Sequence, residues 1–243
     1  MASSPRLTIL GHLAELRRRL LICLAAWLVA CAAVWPRALP LLDWLLAPLG
    51  EPAIYLGPAG GFMAVVKLDF VLGALLASPV WLWQVSAFLS PALKARERRL
   101  AALAGFVGSG MFLLGSWFAY RFLLPAMMTF LLGFRTEHMR PQVTVDQYLQ
   151  FLVWTVGGCG VAFEFPVVSA ALAKAGILRS RALLRQWRLA IIACLVIAAW
   201  VTPSPDAGTM LMLAVPLVAL YFAGIVTAWL VERGTTNREV RRR

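Results

Sequence analysis

Long runs of uncharged, apolar residues dominate this sequence, and they require a fold that is built in a lipid bilayer. A helix that crosses about 30 Å of hydrocarbon needs roughly 20 apolar residues, at about 1.5 Å per residue. Five runs are convincing and a sixth is short, so the sequence predicts an all-α polytopic membrane protein with six transmembrane helices in one domain, 1–243. The predicted spans are 20–35, 70–89, 100–124, 148–173, 189–201 and 209–231.

The composition excludes most classes of soluble protein. Of the 243 residues, 61% are hydrophobic and 14% are charged, whereas a soluble domain averages about half apolar and about a quarter charged residues. So few charges could not cover the surface of a compact soluble fold. We therefore exclude a cytosolic enzyme and a nucleic-acid-binding domain, although the net charge is +12.

The distribution of the basic residues predicts the orientation in the membrane. Eighteen of the 23 lysine and arginine residues lie before the first predicted span, after the last, or in the second-to-third and fourth-to-fifth loops. Because basic residues concentrate on the cytoplasmic side of membrane proteins, both termini are predicted to be cytoplasmic. Four acidic residues share this inner face, so its net charge is about +14.

The segments predicted on the outer side are not simple linkers. Residues 39–49 are apolar apart from Asp43 but too short to span the membrane, so we expect them to lie in the interface or to cap the bundle. Turn formers and charges occupy 127–147, after Pro125, and a proline-rich turn at 201–208 joins the last two spans.

Two features of the predicted spans concern helix shape. Pro79 and Pro216 fall inside spans and favour kinked helices in a curved bundle. The fifth span, 189–201, reaches only about 20 Å unless Leu183 and Leu184 extend it. This short span is a candidate docking region for a partner protein, and a tilted helix with a misjudged boundary is the equally open alternative.

Glu164 is the only formal charge deep within a predicted span, about ten residues from Lys174. A carboxylate at mid-depth costs several kcal/mol unless it is neutral, paired or beside water, so we expect it to face a cavity or a partner helix. Two roles are open. Glu164 is either a functional intramembrane acid or an uncharged glutamic acid that bonds a neighbouring helix next to the break at Pro166.

Glu15 and Glu97 stand out as acids on the strongly basic inner face. Helix pairing alone explains them, since Glu15 lies four residues before Arg19 and Glu97 three residues after Lys94. Alternatively, the two carboxylates form a local site for an arginine-bearing ligand through bidentate hydrogen bonds. Spacing alone favours the pairing account.

The sequence carries no pattern typical of an enzyme or a metal site. Its four cysteines lie within apolar runs without CxxC spacing, which predicts core packing rather than disulfides or metal binding. His12 and His138 are predicted on opposite sides of the membrane and cannot form one cluster. No GxSxG, HExxH, P-loop or Rossmann pattern occurs. We therefore predict no enzymatic activity, no cofactor and no metal.

Five sequence blocks, in order and covering nearly the whole chain, resemble the TatC family, the multi-span subunit of the twin-arginine (Sec-independent) protein translocase. The blocks are HLAELRRRLL at 12–21, LAPLG at 46–50, SPVWLWQVSAFLSPALKARERRL at 78–100, GVAFEFPVV at 160–168 and VTPSPD at 201–206.

The resemblance implies a receptor in the cytoplasmic (inner) membrane of a prokaryote that works with the proton motive force. It would bind twin-arginine signal peptides of folded export substrates at its cytoplasmic face and assemble with TatA and TatB-type single-span subunits, as a homo-oligomer within the complex. By family position, Glu15 and Glu97 would form the arginine-pair site, Glu164 would be the intramembrane carboxylate, and Pro48 and Asp206 would be functional outer residues. Neighbouring positions that would shape the arginine-pair site are Arg17, Phe88, Pro91, Leu93 and Arg98.

Two departures from the family pattern affect the region of the fifth span. VTPSPD carries an extra residue relative to the usual TPPD, and LLRQWR replaces a more basic segment that often ends in tyrosine.

The alternative function is an ion-coupled small-solute transporter, supported by Glu164 and the predicted kinks alone. A transporter of this size is expected to carry more intramembrane polar residues or an internal repeat, and neither is visible here.

Overall fold

The structure is a computed structural model that describes residues 9–50, 52–89, 98–134, 142–202 and 206–240, and these ranges are almost entirely helical. An isolated parallel bridge between Ile54 and Thr144 is the one β-type pairing within them. The helices are α1 (Ile9–Val34), α2 (Ala38–Leu46), α3 (Gly60–Leu89), α4 (Arg98–Phe118), α5 (Leu124–Leu132), α6 (Val145–Phe163), α7 (Phe165–Lys174), α8 (Ser180–Arg185), α9 (Trp187–Val201) and α10 (Ala207–Val240).

The predicted fold class is confirmed. Within the described ranges, five helical segments are long and apolar enough to cross a membrane and a sixth is shorter. The long segments are Leu13–Leu49, Gly60–Phe88, Leu103–Leu132, Val145–Lys174 and Ala207–Arg233, and the shorter one is Trp187–Val201.

Side chains of α2, α5, α6 and the first half of α10 form a single buried cluster towards one end of the bundle. Its centre includes Leu45, Leu124, Met127, Tyr148 and Leu213. We call this the outer end, after the predicted orientation. The opposite end, formed by the start of α1, the end of α3, α8 and the end of α10, is the inner end. Packing therefore concentrates where the short outer helices close the bundle.

The segment 39–49 caps the bundle, one of its two expected positions. It forms α2 and a 3-10 turn, Ala47–Leu49, and buries Leu42, Leu45 and Leu49 against the core. The Tyr148 hydroxyl donates to the Leu45 carbonyl at 2.7 Å, which ties this cap to α6. Apolar side chains and a buried hydrogen bond thus hold the outer cap in place.

The helical segment of the third predicted span continues past Pro125 and ends at Leu132. The sequence predicts turn formers from residue 127, so the helix is longer than expected. A π-helical turn, Ala119–Leu123, separates α4 from α5. Proline lacks an N–H group and its ring collides with the carbonyl four residues earlier in a regular helix. The wider π-helical turn immediately before Pro125 accommodates this change, so the chain stays helical.

The fifth span is short, as predicted, because Leu183 and Leu184 belong to the separate helix α8. Gln186 leaves helical geometry (φ −99°, ψ 16°) between α8 and α9. The 15 residues of α9 therefore reach only about 22 Å. The Glu232 carboxylate of α10 anchors α8 by accepting from the Ser180 N–H at 2.7 Å.

Candidate functional site

Glu15 lies in the second turn of α1 and binds Arg19, as its spacing predicted. Arg19 donates to one carboxylate oxygen, Oε1, from Nη2 at 2.6 Å and from Nε at 3.1 Å. Both side chains are partly exposed, 25% for Glu15 and 22% for Arg19. Pairing therefore occupies half of the Glu15 carboxylate.

Arg19 also contacts α3, and no sequence pattern predicts this contact. Its Nη1 donates to Gln84 Oε1 at 2.9 Å and approaches the Gln84 carbonyl oxygen at 3.5 Å. The structure thus brings together an acid, a guanidinium and an amide from two helices at the inner end. We call Glu15, Arg19 and Gln84 the inner polar cluster.

The remaining residues expected near this site fall partly outside the described part of the chain. Arg17 is exposed on α1, and Phe88 is half-buried one turn after Gln84. Arg98 begins α4, but its side chain is not described. The others expected here, Pro91, Leu93 and Glu97, lie outside the described residues.

Glu164 occupies a break in the fourth span, where α6 ends at Phe163 and α7 begins at Phe165 with Pro166 in its first turn. The carboxylate points at α4. A Cβ atom added at Gly108 would lie 2.6 Å from Glu164 Oε2, so glycine makes room for the acid. Oε1 is buried and accepts no hydrogen bond from the part of the chain that the structure describes. Glu164 therefore faces a partner helix, one of the two expected surroundings, but makes no hydrogen bond to it there.

The two outer candidates have clear structural contacts. Pro48 lies in the Ala47–Leu49 turn, which packs against α5. Asp206 precedes α10 and accepts hydrogen bonds from the Thr209 N–H at 2.7 Å and from the Thr209 hydroxyl at 2.6 Å. A carboxylate that accepts from the third residue of a helix is an N-cap, which satisfies one of the free N–H groups of the first turn.

Sequence reasoning missed a second buried acid, Asp69, which is 4% exposed on α3. Its Oδ1 has no hydrogen-bond partner among the described residues, and its carbonyl oxygen lies 3.8 Å from Cys31 Sγ of α1. The predicted second span begins at Phe70, so it does not include Asp69. Extending the apolar run back to Gly60, where α3 begins, would have revealed an acid within the helix.

A salt bridge joins Lys67 of α3 to Asp146 of α6 at the outer end, and both side chains are more than half exposed.

Within the described ranges, no group of three His, Cys, Asp or Glu side chains could hold a metal ion.

The chain matches the family model for Sec-independent protein translocase protein (TatC) over residues 11–216. A TatC protein of Synechocystis is 34% identical over 90% of this chain and 87% of its own length. A chloroplastic TATC protein of Arabidopsis thaliana is 33% identical over 96% of this chain and 68% of its own length. A crystal structure described as the twin-arginine translocase receptor TatC superposes with a TM-score of 0.79 and 33% identity, over 90% of this chain and 99% of that one.

Proposed function

The chain belongs to the TatC family of twin-arginine (Sec-independent) protein translocase subunits, and from this premise we propose that it is the receptor for twin-arginine signal peptides. Folded proteins that carry such peptides would be its export substrates. The membership does not favour an ion-coupled solute transporter, and it makes this chain a multi-pass membrane component of the Tat system.

Glu15 is the observation that carries the proposal. It presents a carboxylate on a face with 18 basic and four acidic residues, where a cationic peptide would otherwise be repelled. Glu232, another of these acids, is engaged in anchoring α8 through Ser180. An arginine guanidinium binds a carboxylate through parallel N–H groups, so Glu15 together with Glu97 is a suitable receptor for paired arginines.

The remaining members of the proposed site follow from family position. Arg17, Phe88, Pro91, Leu93 and Arg98 would contact the peptide around the two carboxylates. The proposal also requires the inner end to be cytoplasmic, with both termini on that side. The asymmetric distribution of lysine and arginine supports this orientation.

We also propose that TatA and TatB-type single-span subunits dock on the bundle, with α9 as the preferred surface, and that several copies of the chain assemble in the complex. Large apolar side chains are exposed along α9, including Leu189, Ile192, Val196 and Trp200. A helix of about 22 Å is shorter than the hydrocarbon thickness of the bilayer. A partner helix packed beside α9 would separate it from the lipid, so the difference in length would no longer deform the bilayer.

Glu164 would act within the membrane during transport, and the buried oxygen without a described partner supports this role. A polar group at this depth is costly to the fold and adds little packing. We expect Glu164→Ala to fold but to impair export, with Glu164→Gln milder. Normal export by Glu164→Leu would exclude a functional intramembrane acid.

Peptide binding tests the proposed function directly. The purified chain in lipid nanodiscs would be titrated with a fluorescent signal peptide that carries twin arginines, and with the same peptide carrying twin lysines. We expect tighter binding of the arginine form, because lysine lacks the planar pair of donors. Equal binding of both peptides, unchanged by Glu15→Gln, would contradict the proposal.

A further inference from the structure

The inner polar cluster contains its own arginine. Arg19 places two N–H donors on one oxygen of Glu15 and a third on Gln84. The guanidinium of Arg19 thus already binds one of the two oxygens that a ligand arginine would use. One half of the receptor carboxylate is occupied before any peptide arrives.

We propose that Arg19 is an internal competitor, which holds one oxygen of Glu15 in the free receptor and releases it when a ligand cation binds. The inference rests on the proposed function of Glu15 as a peptide-binding acid. On exchange, the ligand arginine takes the carboxylate and Arg19 remains on Gln84. Arg19 therefore makes an autoinhibitory contact that lowers the affinity of this receptor for its ligands.

The contacts of Arg19 make the exchange feasible. An ion pair between residues four apart on a helix, with both side chains partly exposed, contributes little net free energy. Gln84 accepts from Arg19 through both its side-chain and its main-chain oxygen, at 2.9 and 3.5 Å. Arg19 can therefore leave Glu15 and still keep hydrogen-bond acceptors on α3.

The same contacts predict what a competitor does to affinity. Every ligand that takes Glu15 must first release Arg19, so the free energy of that release weakens the binding of an arginine ligand and of a lysine ligand alike. A receptor separates two ligands by the difference in their free energies of binding, and a cost that both ligands meet cancels in that difference. Arg19 therefore lowers the affinity for both ligands, and the preference for arginine comes from the planar fork of the ligand itself.

Two simpler accounts of Arg19 make different predictions. In the first, Arg19 only adds positive charge to a face that already repels a basic peptide. In the second, Arg19 is a positioning residue that orients Glu15 for the ligand. Arg18 is the matched control for the charge account, since it is the adjacent arginine on α1 and is exposed.

The experiment compares Arg19→Gln with Arg18→Gln, each titrated in nanodiscs with the twin-arginine and the twin-lysine peptides. We expect Arg19→Gln to bind the twin-arginine peptide about two- to fivefold more tightly than Arg18→Gln does. The twin-lysine peptide should gain by the same factor, so the arginine-to-lysine affinity ratio should stay constant in both variants. Arg19→Lys keeps the charge but loses the fork that reaches both Glu15 and Gln84, so it should bind the twin-arginine peptide more tightly than the unmutated chain does.

Three results would overturn the inference. Equal affinities in Arg19→Gln and Arg18→Gln would leave charge alone as the explanation. Weaker binding by Arg19→Gln would make Arg19 a positioning residue, and an affinity of Arg19→Lys equal to that of the unmutated chain would show that the charge of Arg19, and not its hydrogen bonds, opposes the ligand. If Arg19→Gln does not fold, Arg19→Lys decides. A failure of the proposed function differs from all three, because the unmutated chain would then show no preference for arginine.

Discussion

The outer and inner ends of this molecule use polar side chains in different ways. At the outer end, Tyr148 and Asp206 bond backbone groups and fasten the cap and the start of α10. At the inner end, Arg19 bonds the side chains of Glu15 and Gln84, on a face that is strongly basic. Tyr148 is buried in the core and cannot change its partner without local unfolding, whereas the partly exposed side chains of Arg19 and Glu15 can. The outer end is thus suited to stability and the inner end to recognition.

The largest expected effect on stability belongs to the outer end. Tyr148 is 1% exposed within the core, so Tyr148→Ala leaves a cavity and removes the hydrogen bond to the Leu45 carbonyl. We expect it to lower the free energy of unfolding by about 3–5 kcal/mol. Unfolding by denaturant in detergent micelles measures the change. Trp154→Ala is the control on the same helix, because Trp154 is 41% exposed and should lose far less; equal losses would contradict a packed outer core.

The inner acids should instead change binding. Hydrogen-bonded charge pairs contribute roughly 1.5–3 kcal/mol, so Glu97→Ala should weaken twin-arginine peptide binding about tenfold or more, with Glu15→Ala similar or smaller. Lysine at either position should be worse than alanine. A double-mutant cycle between Glu97 and a peptide arginine measures the coupling. Strictly additive losses would mean that Glu97 positions its loop and does not bind the arginine.

Asp206 tests the same comparison, because its loss should affect stability at the outer end and not binding at the inner end. Because it caps α10 through Thr209, Asp206→Ala should lower the free energy of unfolding by about 0.5–2 kcal/mol and leave peptide affinity at the inner end unchanged. Asp206→Asn keeps the cap and should retain stability. If Asp206→Asn is as stable as the unmutated chain but fails in export, the acid has a role beyond capping.

Local sequence properties account for what was predictable. Span number and fold class follow from apolar length, and the Glu15 to Arg19 pair follows from a spacing of one helical turn. Gln84 was not predictable as the third member of the cluster, since 65 residues separate it from Arg19. The acceptor of the Tyr148 hydroxyl lies 103 residues away in the sequence. Such contacts depend on how the helices pack, which no local pattern encodes.

Two errors of boundary have the same origin. The turn expected after Pro125 did not form, because a π-helical turn upstream absorbs the proline. Asp69 lies within α3, although the uncharged run that predicts the second span starts one residue later, at Phe70. In both cases a residue that ordinarily interrupts an apolar helix does not end it.

The smallest expected effect comes from the outer salt bridge, which is the counterpart of the inner pair. Lys67 and Asp146 are 55% and 61% exposed, so their coupling free energy in a double-mutant cycle should be about 0.2–1 kcal/mol and should decrease with added salt. Neither Lys67→Ala nor Asp146→Ala should alter peptide affinity, whereas Arg19→Gln should. Both pairs are ion pairs at the bundle surface, so this contrast isolates location. A change in peptide affinity on breaking the outer pair would show that the two ends are coupled, and the division between a stabilising and a recognising end would be wrong.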